Sequence, residues 1–373
     1  MLQVTVLMPI YNGLPYLEAS IRSILNQSYT DFEFLILDDA STDGSPEVVR
    51  SFDDPRIRFV MNETNLGQTA TLNRGLRLAQ GRYIARQDQD DLSAPTRLAQ
   101  QVALLEQDPE IVLVSAQTVA IDGNGKAVFA FNYPSDHVRL HWLLLTECPI
   151  FHSSVMFRRD FVLERYGGYD PTFRYSQDYN LWSKIVWDGR IANLPEVLNY
   201  WRVHPAATSS TLPEPTRELE GLRTSYSNIR RLGFEIDEDT WGRIHYIYYR
   251  GIVSPANPTE LLKAIDIIHQ VSDRFLLRYS ANEEPALARW IRDDITKRFL
   301  IRLDHWRQQG KRELVLRAIV RLTRYNPRTL RLGRRLIGQV IIGADNYSRL
   351  HDLVVGKGHH APQGYSSTTR STK

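Results

Sequence analysis

The sequence has a single cysteine, Cys148, among its 373 residues, and it lacks long apolar runs. One cysteine excludes a disulfide within the chain, which fits a reducing compartment. A membrane-spanning helix needs about 20 apolar residues, and the best candidate here, LIGQVIIGA at 336–344, is far shorter. The opening stretch MLQVTVLMPIYNG lacks a basic segment and a small-residue cleavage site, so its apolar run predicts a strand and not a secretory signal. From these absences we expect a cytoplasmic protein.

Several motifs that define enzyme classes are also missing. The turn after the first predicted strand, PIYNGLPY, has one glycine and therefore lacks the dinucleotide-binding fingerprint. No Walker A loop and no Gly-x-Ser-x-Gly nucleophile elbow occurs, and the histidines do not follow the Cys/His spacing of a zinc site. The sequence thus disfavours the classes of enzyme that those motifs define.

Acidic residues are nearly absent from the stretch 297–335, although the net charge of the whole chain is only +3. Only Asp304 and Glu313 oppose its basic residues, which are Lys297, Arg298, Arg302, Arg307, Lys311, Arg312, Arg317, Arg321, Arg324, Arg328, Arg331, Arg334 and Arg335. Such a stretch indicates an anionic partner. Our hypothesis is a peripheral contact with the inner face of an anionic membrane, where each basic residue contributes about 1 kcal/mol. Solvated faces of a helical hairpin are the alternative, and no nucleic acid is expected.

The first half of the chain alternates between strand and helix patterns. A continuous apolar run predicts a strand buried on both faces at 4–10, and further strands are predicted at 32–39, 56–62, 83–87 and 111–121. Helical patterns begin near Leu17 and within STDGSPEVV, and they cover Thr69–Gln80, which Gly81 should end, and Pro95–Gln107. Such alternation predicts an α/β fold with a mostly parallel sheet.

Three of these strands end in polar or acidic residues, in PIYNG, LDDAS and RQDQDD. Ligands of such sheets bind beyond the carboxyl ends of the strands, so position and charge predict the same site. Asp88 and Asp90 point the same way in an extended loop, and two hard oxygen ligands suit Mg²⁺ or Mn²⁺, with a diphosphate completing the shell. A solvated acidic turn before the helix at Pro95 is the alternative, and the spacing alone favours it. Asp91 has no assigned role.

The chain changes character near residue 210. The stretch STLPEPT at 210–216 is typical of a linker, and the patterns beyond it predict helices, including a hairpin on either side of Gly310. The polar tail 356–373 is expected to be disordered. We therefore predict an α/β domain at 1–210, a basic helical region at 217–355 and a disordered tail at 356–373.

A set of motifs in this order resembles family 2 glycosyltransferases with the GT-A fold over roughly residues 3 to 210. The motifs are VLMPIYNGLPYLEAS, FEFLILDDASTDGS, NLGQTATLNRGLRLAQGRYIARQDQDDLSAPTRL, HSSVMFRR, GGYD, SQDYNLW and YWRVHPAATSS. The resemblance implies an α/β fold in which a Rossmann-like mixed sheet is flanked by helices, here with a C-terminal α-helical region. It also implies sugar transfer from a nucleotide-diphosphate donor.

The resemblance implies roles for residues at the strand ends. Pro9 and Tyr11 would surround the nucleotide base, and Asp39 would accept a hydrogen bond from that base. Asp88 would contact the ribose or the water shell of the metal. Taken without the family, Asp39 is equally well explained as an Asx-turn residue. Arg86 could pair with Asp88 or with phosphate, and the residues alone leave both open.

The same resemblance assigns the metal and the base. Asp90 would ligate Mg²⁺ or Mn²⁺, with His204 beside that metal and the diphosphate, and Asp178 in SQDYNLW would be the general base. A single in-line displacement with one base inverts the anomeric centre and needs no protein nucleophile. A surface position on a helix is the ordinary explanation for Asp178 taken alone, and an ordinary hydrogen-bonded histidine is the ordinary explanation for His204.

Three residues depart from the pattern of the family. Gln177 stands before the base where Glu is frequent, Asn180 stands two residues after it where Asp is frequent, and Cys148 replaces a frequent Asn. These departures affect the acceptor side of the predicted site and leave the base in place.

From the sequence we expect an inverting, metal-dependent glycosyltransferase that uses a UDP-sugar donor. The expected acceptor is a saccharide or lipid-linked hydroxyl, with surface polysaccharide assembly as the family-level expectation. Two alternatives are a non-catalytic, nucleotide-sugar-binding scaffold of the same fold and a nucleotidyltransferase. The intact set of Asp39, Asp88, Asp90 and Asp178 argues against the scaffold. The turn PIYNGLPYLEAS lacks the Gly-rich basic loop usual in nucleotidyltransferases.

Overall fold

The structure is a computed structural model that describes residues 2–205, 207, 214–250, 258–279, 285–342, 344 and 347. The chain forms two compact units, which consist of residues 1–245 with 273–287 and of residues 246–272 with 288–373. The predicted disordered tail at 356–373 and residues 210–213 of the predicted linker lie outside the described residues. The predicted domain boundaries, which set an α/β domain at 1–210 and a helical region at 217–355, remain a prediction.

The first unit is built on one mixed sheet, which has nine strands among the described residues. The strands are β1 Val4–Ile10, β2 Phe32–Asp38, β3 Ile57–Met61, β4 Tyr83–Arg86, β5 Leu92–Ser93, β6 Ile111–Ile121, β7 Ala127–Ala130, β8 Met156–Arg158 and β9 Arg190–Arg202. Their order is β3-β2-β1-β4-β8-β6-β9-β5, with β7 beside β6. The sequence predicted a mostly parallel sheet, but in the described part of the chain only the run β3-β2-β1-β4 and the pair β6-β9 are parallel, and the other strand pairs are antiparallel. The antiparallel β8 then makes the sheet mixed, as the resemblance implied.

Helices cover both faces of this sheet. They are α1 Leu17–Leu25, α2 Ser45–Arg50, α3 Gln68–Leu78, α4 Arg97–Gln107, α5 His137–Leu144, α6 Arg159–Tyr166 and α7 Gln177–Asp188, with a 3₁₀ turn at His152–Ser154. Side chains alternate across β1, so Leu7 joins a core with α3 and α7, whereas Val6 and Met8 join a core with α1 and α4. Two cores on opposite faces explain why β1 and β2 are buried throughout and largely apolar.

Gly81 does not end α3, which is a correction to the sequence prediction. The helix ends at Leu78, and the next residue, Ala79, is extended. A Cβ atom at Gly81 would lie 2.3 Å from the backbone nitrogen of Thr5 and 2.5 Å from the carbonyl carbon of Val4. Glycine is therefore required because the backbone approaches β1 closely, and not as a helix cap.

Further helices follow the sheet in the first unit. Helix Glu214–Arg231 begins within the predicted linker, and helix Glu238–His245 comes next. Asn228 on the first of these donates from Nδ2 to the carbonyl of Leu144 at 2.7 Å and to Ser183 Oγ at 3.1 Å. The side chain thus joins this helix to α5 and α7.

The second unit contains the helical hairpin that the sequence predicted. Its two arms are Pro285–Gln308 and Arg312–Tyr325, and Gly310 between them has a left-handed φ of +77°. Asn326, after the second arm, donates from Nδ2 to Asp293 Oδ1 at 2.9 Å and to Thr296 Oγ1 at 3.0 Å on the first arm. The remaining described helices of this unit are a π-helical turn Tyr246–Arg250 and the helices Thr329–Leu332 and Arg334–Ile342, and helix Pro258–Tyr279 begins in it. No helix in the described ranges combines the length and the apolar character that crossing a bilayer requires.

Candidate active site

The three polar strand ends meet at one edge of the sheet, as the sequence predicted. β1 lies between β2 and β4 and runs parallel to both, so the loops after these strands are neighbours. Gln89 joins two of the loops, because its Oε1 accepts from the backbone N–H of Tyr11 at 2.8 Å and its Nε2 donates to the carbonyl of Tyr11 at 3.1 Å. The strand order reverses direction between β1 and β4, which is where open α/β sheets bind their ligands.

Pro9 and Arg86 explain why the backbone hydrogen bonding between β1 and the loop after β4 ends at this edge. In a parallel ladder the residue at position 9 of β1 would donate its N–H towards Gln87, because the carbonyl of Leu7 already accepts from the N–H of Gln87 at 3.1 Å. Proline has no N–H, and the guanidinium of Arg86 donates to the Gln87 carbonyl instead. The side chain of Arg86 is fully buried, and its second terminal nitrogen donates to Asp88 Oδ1 at 2.5 Å. The sequence left two possible partners for Arg86, which were Asp88 and phosphate. In the structure Arg86 pairs with Asp88.

Asp39 organises the segment between β3 and α3. Its Oδ1 accepts from Asn62 Nδ2 at 2.6 Å, from Thr71 Oγ1 at 2.8 Å and from the N–H of Leu66 at 2.9 Å, whereas Oδ2 accepts from the N–H of Gly67 at 2.9 Å. Oδ1 thus accepts three of the four hydrogen bonds and Oδ2 only one. The turn role considered for Asp39 belongs to its neighbour Asp38, which accepts from the N–H of Ser41.

Asp90 and His204 lie side by side. His204 Nε2 and Asp90 Oδ2 are 2.9 Å apart, and the imidazole ring packs on Tyr16 with 4.7 Å between the ring centroids. Burial raises the pKa of Asp90 and the charge of Asp88 adds to this, whereas the hydrogen bond from His204 opposes it. The two residues are far apart in sequence but form one polar pair at the predicted site.

Asp91 is a structural carboxylate. It is only 1% exposed, and it accepts from the hydroxyl of Ser153 and, at 2.8 Å, from the backbone N–H of Arg202. Burial and the charges of Asp90 and Asp88 raise its pKa well above the usual range. The third carboxylate of the loop therefore ties the loop to β9 and to the 3₁₀ turn, and faces away from solvent.

Asp178 is the second residue of α7. Its Oδ1 accepts from the N–H of Tyr179 at 2.7 Å. The pKa of Asp178 is raised to about 6, mainly by burial and also by the charge of Asp88, whereas the N–H groups of Tyr179 and of Asp178 itself and the charge of Arg86 oppose the rise. Because Asp88 and Arg86 both act on this carboxyl, α7 brings Asp178 to the same site as the acidic loop.

Among the described residues, no group of three or more His, Cys, Asp and Glu side chains is placed to hold a metal ion. Asp90 Oδ2 and His204 Nε2 could nevertheless supply two ligands to such an ion. These two atoms are 2.9 Å apart. Mg²⁺ typically takes one or two protein ligands and fills its shell with phosphate oxygens and water. Asp90 and His204 would thus form only part of a metal-binding site, and the oxygens of a diphosphate would complete it.

Sequence reasoning missed two arginines of this site. Arg97 is fully buried, and all five of its N–H donors have acceptors, including the carbonyls of Arg86 and Val155. Arg202 donates from Nε to the carbonyl of Asp90 at 2.8 Å and lies over the ring of Tyr16. Arg202 belongs to the YWRVH motif, which gave a signal, whereas nothing in the sequence around Arg97 distinguishes it from a surface arginine.

An open groove of about 750 Å³ lies at the opposite end of β6 and β9, against Pro109, Trp187 and Arg190. It contains none of the predicted site residues. The carboxylates, the histidine and the buried arginines converge at the carboxyl end of the sheet, so we assign the chemistry to that end.

A parallel half-sheet β3-β2-β1-β4, an acidic loop at the point where the strand order reverses, and a carboxyl of raised pKa near that loop together define a class. This class is the GT-A type of glycosyltransferase. A family model described as glycosyl transferase family 2 matches residues 5–167. Putative glycosyltransferase EpsE of Bacillus subtilis is 34% identical over 242 residues, which are 63% of this chain and 85% of that protein.

Two further comparisons agree. The Escherichia coli protein named UDP-Glc:alpha-D-GlcNAc-diphosphoundecaprenol beta-1,3-glucosyltransferase WfaP is 30% identical over 210 residues, 56% of this chain and 80% of that protein. The crystal structure of S. aureus TarS 1–349 in complex with UDP-GlcNAc has a TM-score of 0.55 at 16% identity, over 93% of this chain and 92% of that chain. The chain belongs to glycosyl transferase family 2, and its fold is that of the GT-A enzymes.

Proposed function

We propose that the protein is an inverting, metal-dependent glycosyltransferase that moves a sugar from a UDP-sugar to a hydroxyl of a saccharide or lipid-linked acceptor. The observation that carries the proposal is the partly buried Asp178, whose pKa is raised to about 6 and which faces the loop of Asp88 and Asp90. The catalytic domain in this proposal is residues 1–210, with helix Glu214–Arg231 packed on it.

The donor would bind across the loops after β1, β2 and β4. Tyr11 is 45% exposed, so its ring is available to a nucleotide base next to Pro9. Asp39 Oδ2, which accepts a single hydrogen bond from Gly67, would accept a second one from an N–H of that base. Asp88 is paired with Arg86, and 27% of its side chain is exposed. It would therefore be accessible to a ribose hydroxyl or a metal-bound water.

Asp90 and His204 would hold Mg²⁺ or Mn²⁺. When bound, such a cation offsets the charge that gathers on a departing diphosphate. A cation would take the place of the proton between His204 Nε2 and Asp90 Oδ2, which lie 2.9 Å apart. Arg202 holds the backbone of Asp90 from behind, through its carbonyl.

Asp178 would take the proton of the acceptor hydroxyl. Above about pH 6 its carboxyl is ionised, and its raised pKa makes it a stronger base than an ordinary aspartate. The backbone N–H of Tyr179 donates to Oδ1 at 2.7 Å and so orients the carboxylate. A single base with no protein nucleophile corresponds to inversion at the anomeric carbon.

An aromatic cluster beside the site suits the acceptor. It consists of Phe129, Phe131, Tyr133, Phe151 and Trp201. The ring centroids of Phe131 and Phe151 are 4.5 Å apart, and those of Phe151 and Trp201 are 5.6 Å apart. Each ring of the cluster is partly exposed, and Trp201 directly precedes Arg202. Exposed aromatic faces bind the apolar faces of sugars and hydrocarbon chains.

The names of relatives supply the class of substrate. The WfaP name describes a UDP-glucose donor and a diphosphoundecaprenol-linked acceptor, and a further relative, AmsE of Erwinia amylovora, is named an amylovoran biosynthesis glycosyltransferase. A lipid-linked acceptor in surface polysaccharide assembly is therefore the class that we propose here.

A cytoplasmic enzyme that acts on such an acceptor must reach the inner face of the membrane, and the basic stretch 297–335 supports a peripheral contact. Its exposed basic side chains are Lys297, Lys311, Arg312, Arg317, Arg324, Arg328, Arg331, Arg334 and Arg335. Val320 and Leu330, in the same stretch, are 58% and 56% exposed. Exposed cations with interspersed apolar side chains are typical of a surface that binds anionic lipid.

A donor screen tests the proposed function. The protein is incubated with a panel of nucleotide sugars, with Mn²⁺ or with a chelator, and release of the nucleoside diphosphate is measured. We expect turnover with a UDP-sugar, and loss of that turnover with the chelator. Asp178→Asn should abolish transfer while the affinity for UDP stays within about twofold. If none of the nucleotide sugars were turned over, the proposed transferase activity would be refuted. If the chelator left turnover unchanged, the proposed metal dependence would be refuted.

A further inference from the structure

A carboxylate on helix Glu214–Arg231 holds the segment that leads into α7. Glu220 Oε1 accepts from the backbone N–H of Arg174 at 2.8 Å, and its Oε2 accepts from those of Tyr175 and Ser176 at 2.9 and 2.8 Å. These are the three residues directly before Gln177, where α7 begins. Glu220 itself lies more than fifty residues beyond the part of the chain that the family model matches, 5–167.

Three consecutive N–H groups rarely find one acceptor, and the geometry here is suited to a charged one. The start of a helix carries a partial positive charge, and hydrogen bonds to a carboxylate are about twice as strong as neutral ones. Ser176, at the N-cap position of α7, makes no capping bond with its own side chain. A side chain from another helix therefore fixes the entrance of α7, and Asp178 is only two residues further on.

The same helix grips this segment a second time. The guanidinium of Arg223, one turn after Glu220, lies 4.8 Å from the ring centroid of Phe173 and donates to Thr172 Oγ1 at 3.3 Å. The ring of Phe173 is buried, and its carbonyl accepts from Thr69 Oγ1 of α3 at 2.8 Å. The segment 172–176 is thus held between α3 and helix Glu214–Arg231.

We infer that Glu220 is a positioning residue for Asp178. By binding the N–H groups of residues 174–176, it sets where α7 begins and so where the carboxyl of Asp178 stands relative to Asp88. The inference rests on the proposed role of Asp178 as the base. It also makes helix Glu214–Arg231 a working part of the catalytic domain, although the helix lies outside the motifs of the family.

Glu220→Gln is the test variant, because it keeps the shape of the side chain but turns an amide NH₂ towards backbone donors. Its control is Glu235→Gln, which removes an exposed carboxylate paired with Arg230 after the same helix. Misplacing a catalytic group by about 1 Å costs roughly a hundredfold, so we expect kcat to fall roughly ten- to a hundredfold in Glu220→Gln. The KM for the donor and the Kd for UDP should change less than about threefold. Glu235→Gln should match the wild type.

The pH profile separates positioning from a general loss of stability. Release of α7 exposes Asp178 to water, and this exposure favours its ionised form. The midpoint of the acid limb of kcat should therefore move to lower pH in Glu220→Gln. An unchanged midpoint, a kcat within twofold of the wild type, or a parallel loss of kcat and UDP affinity would each overturn the inference. If Asp178→Asn is inactive while Glu220→Gln behaves as wild type, only this inference fails, whereas an active Asp178→Asn refutes the proposed base itself.

Discussion

At the residue scale, the buried carboxyl of Asp178 links the pH dependence of activity to stability. Burial raises its pKa to about 6, above the ordinary value of about 4. A base must be ionised, so kcat should rise about tenfold per pH unit below pH 6 and become constant above it. Because the folded state favours the protonated form, ionising Asp178 between about pH 4 and 6 costs stability, and this cost persists at neutral pH.

Asp178→Asn should consequently be inactive but more stable. The amide oxygen still accepts from Tyr179, and no charge is buried, so the free energy of unfolding at pH 7 should rise by about 1–3 kcal/mol. The gain should vanish near pH 4, where the wild-type carboxyl is also neutral. Thermal unfolding at both pH values measures this. The control is Asp160→Asn, an exposed aspartate in the first turn of α6, which should not stabilise. Equal or lower stability of Asp178→Asn at pH 7 would contradict the raised pKa.

The acidic loop shows what sequence can and cannot predict about single residues. The family resemblance predicted a site for Asp88 and Asp90, and the structure pairs Asp88 with Arg86 and Asp90 with His204. The role of Asp91 was not predictable, because its partners Ser153 and Arg202 are 62 and 111 positions away. Local spacing carries no information about such distant partners. Asp39 is similar, since its partners come from a segment whose fold depends on the neighbouring strand.

At the scale of elements, apolar patterns predicted the strands and helices between Val4 and Ile121 well, apart from the two-residue β5. Strands buried on both faces give continuous apolar runs, and helices give a period of 3.6, so their bounds fall within two residues of the structure. The short strand β8 was not predicted, because three residues, Met156–Arg158, are too few to show a period. The direction in which β8 pairs depends on the path of the chain before it. No local sequence pattern encodes that path.

Gly81 tests the packing of α3 and β4 against β1. Gly81→Ala would place a Cβ atom 2.3 Å from the backbone nitrogen of Thr5. Because backbone and not a flexible side chain must move, the free energy of unfolding should fall by about 1–3 kcal/mol or more. Denaturant unfolding of the whole protein measures it.

The matched control is Gly221→Ala. Gly221 lies within helix Glu214–Arg231, where an added Cβ atom meets nothing within 4 Å. Alanine is favoured over glycine in a helix by about 1 kcal/mol, so this variant should be more stable than the wild type. If Gly81→Ala were also neutral or stabilising, the close approach at Gly81 would be refuted.

At the scale of the whole molecule, the first unit extends beyond the motifs from which it was predicted. The catalytic motifs end near residue 210, but the unit includes helices up to His245 and residues 273–287. Ser225 donates to the carbonyl of Leu145 at 2.7 Å, and His245 contacts the carbonyl of Thr146 at 2.8 Å, so these helices hold the segment before Cys148. Patterns of apolar residues identified them as helices, but their partners in the sheet domain were invisible in sequence.

The distribution of charge in the second unit leads to the last prediction. The basic side chains of Arg331, Arg334 and Arg335 are exposed, and among the described residues none of the three has a carboxylate partner within ion-pair distance. Each contributes about 1 kcal/mol near an anionic membrane. Charge reversal of all three to Glu should therefore weaken binding to vesicles that contain about a third phosphatidylglycerol by roughly a hundredfold or more. Sedimentation with such vesicles at low salt measures the bound fraction.

The control reverses three exposed arginines of the first unit, Arg50, Arg77 and Arg165, which gives the same change in net charge. If net charge alone drives binding, both triple variants lose affinity equally. If a defined surface in the second unit drives it, only the variant at Arg331, Arg334 and Arg335 loses affinity. Salt should release the wild type, because the Debye length falls from about 10 Å at 0.1 M to about 3 Å at 1 M. Donor hydrolysis in solution should be equal in all three proteins, since the reversed residues lie outside the site. A wild type that does not bind these vesicles at low salt would remove the membrane from the proposed function and leave the transferase itself untouched.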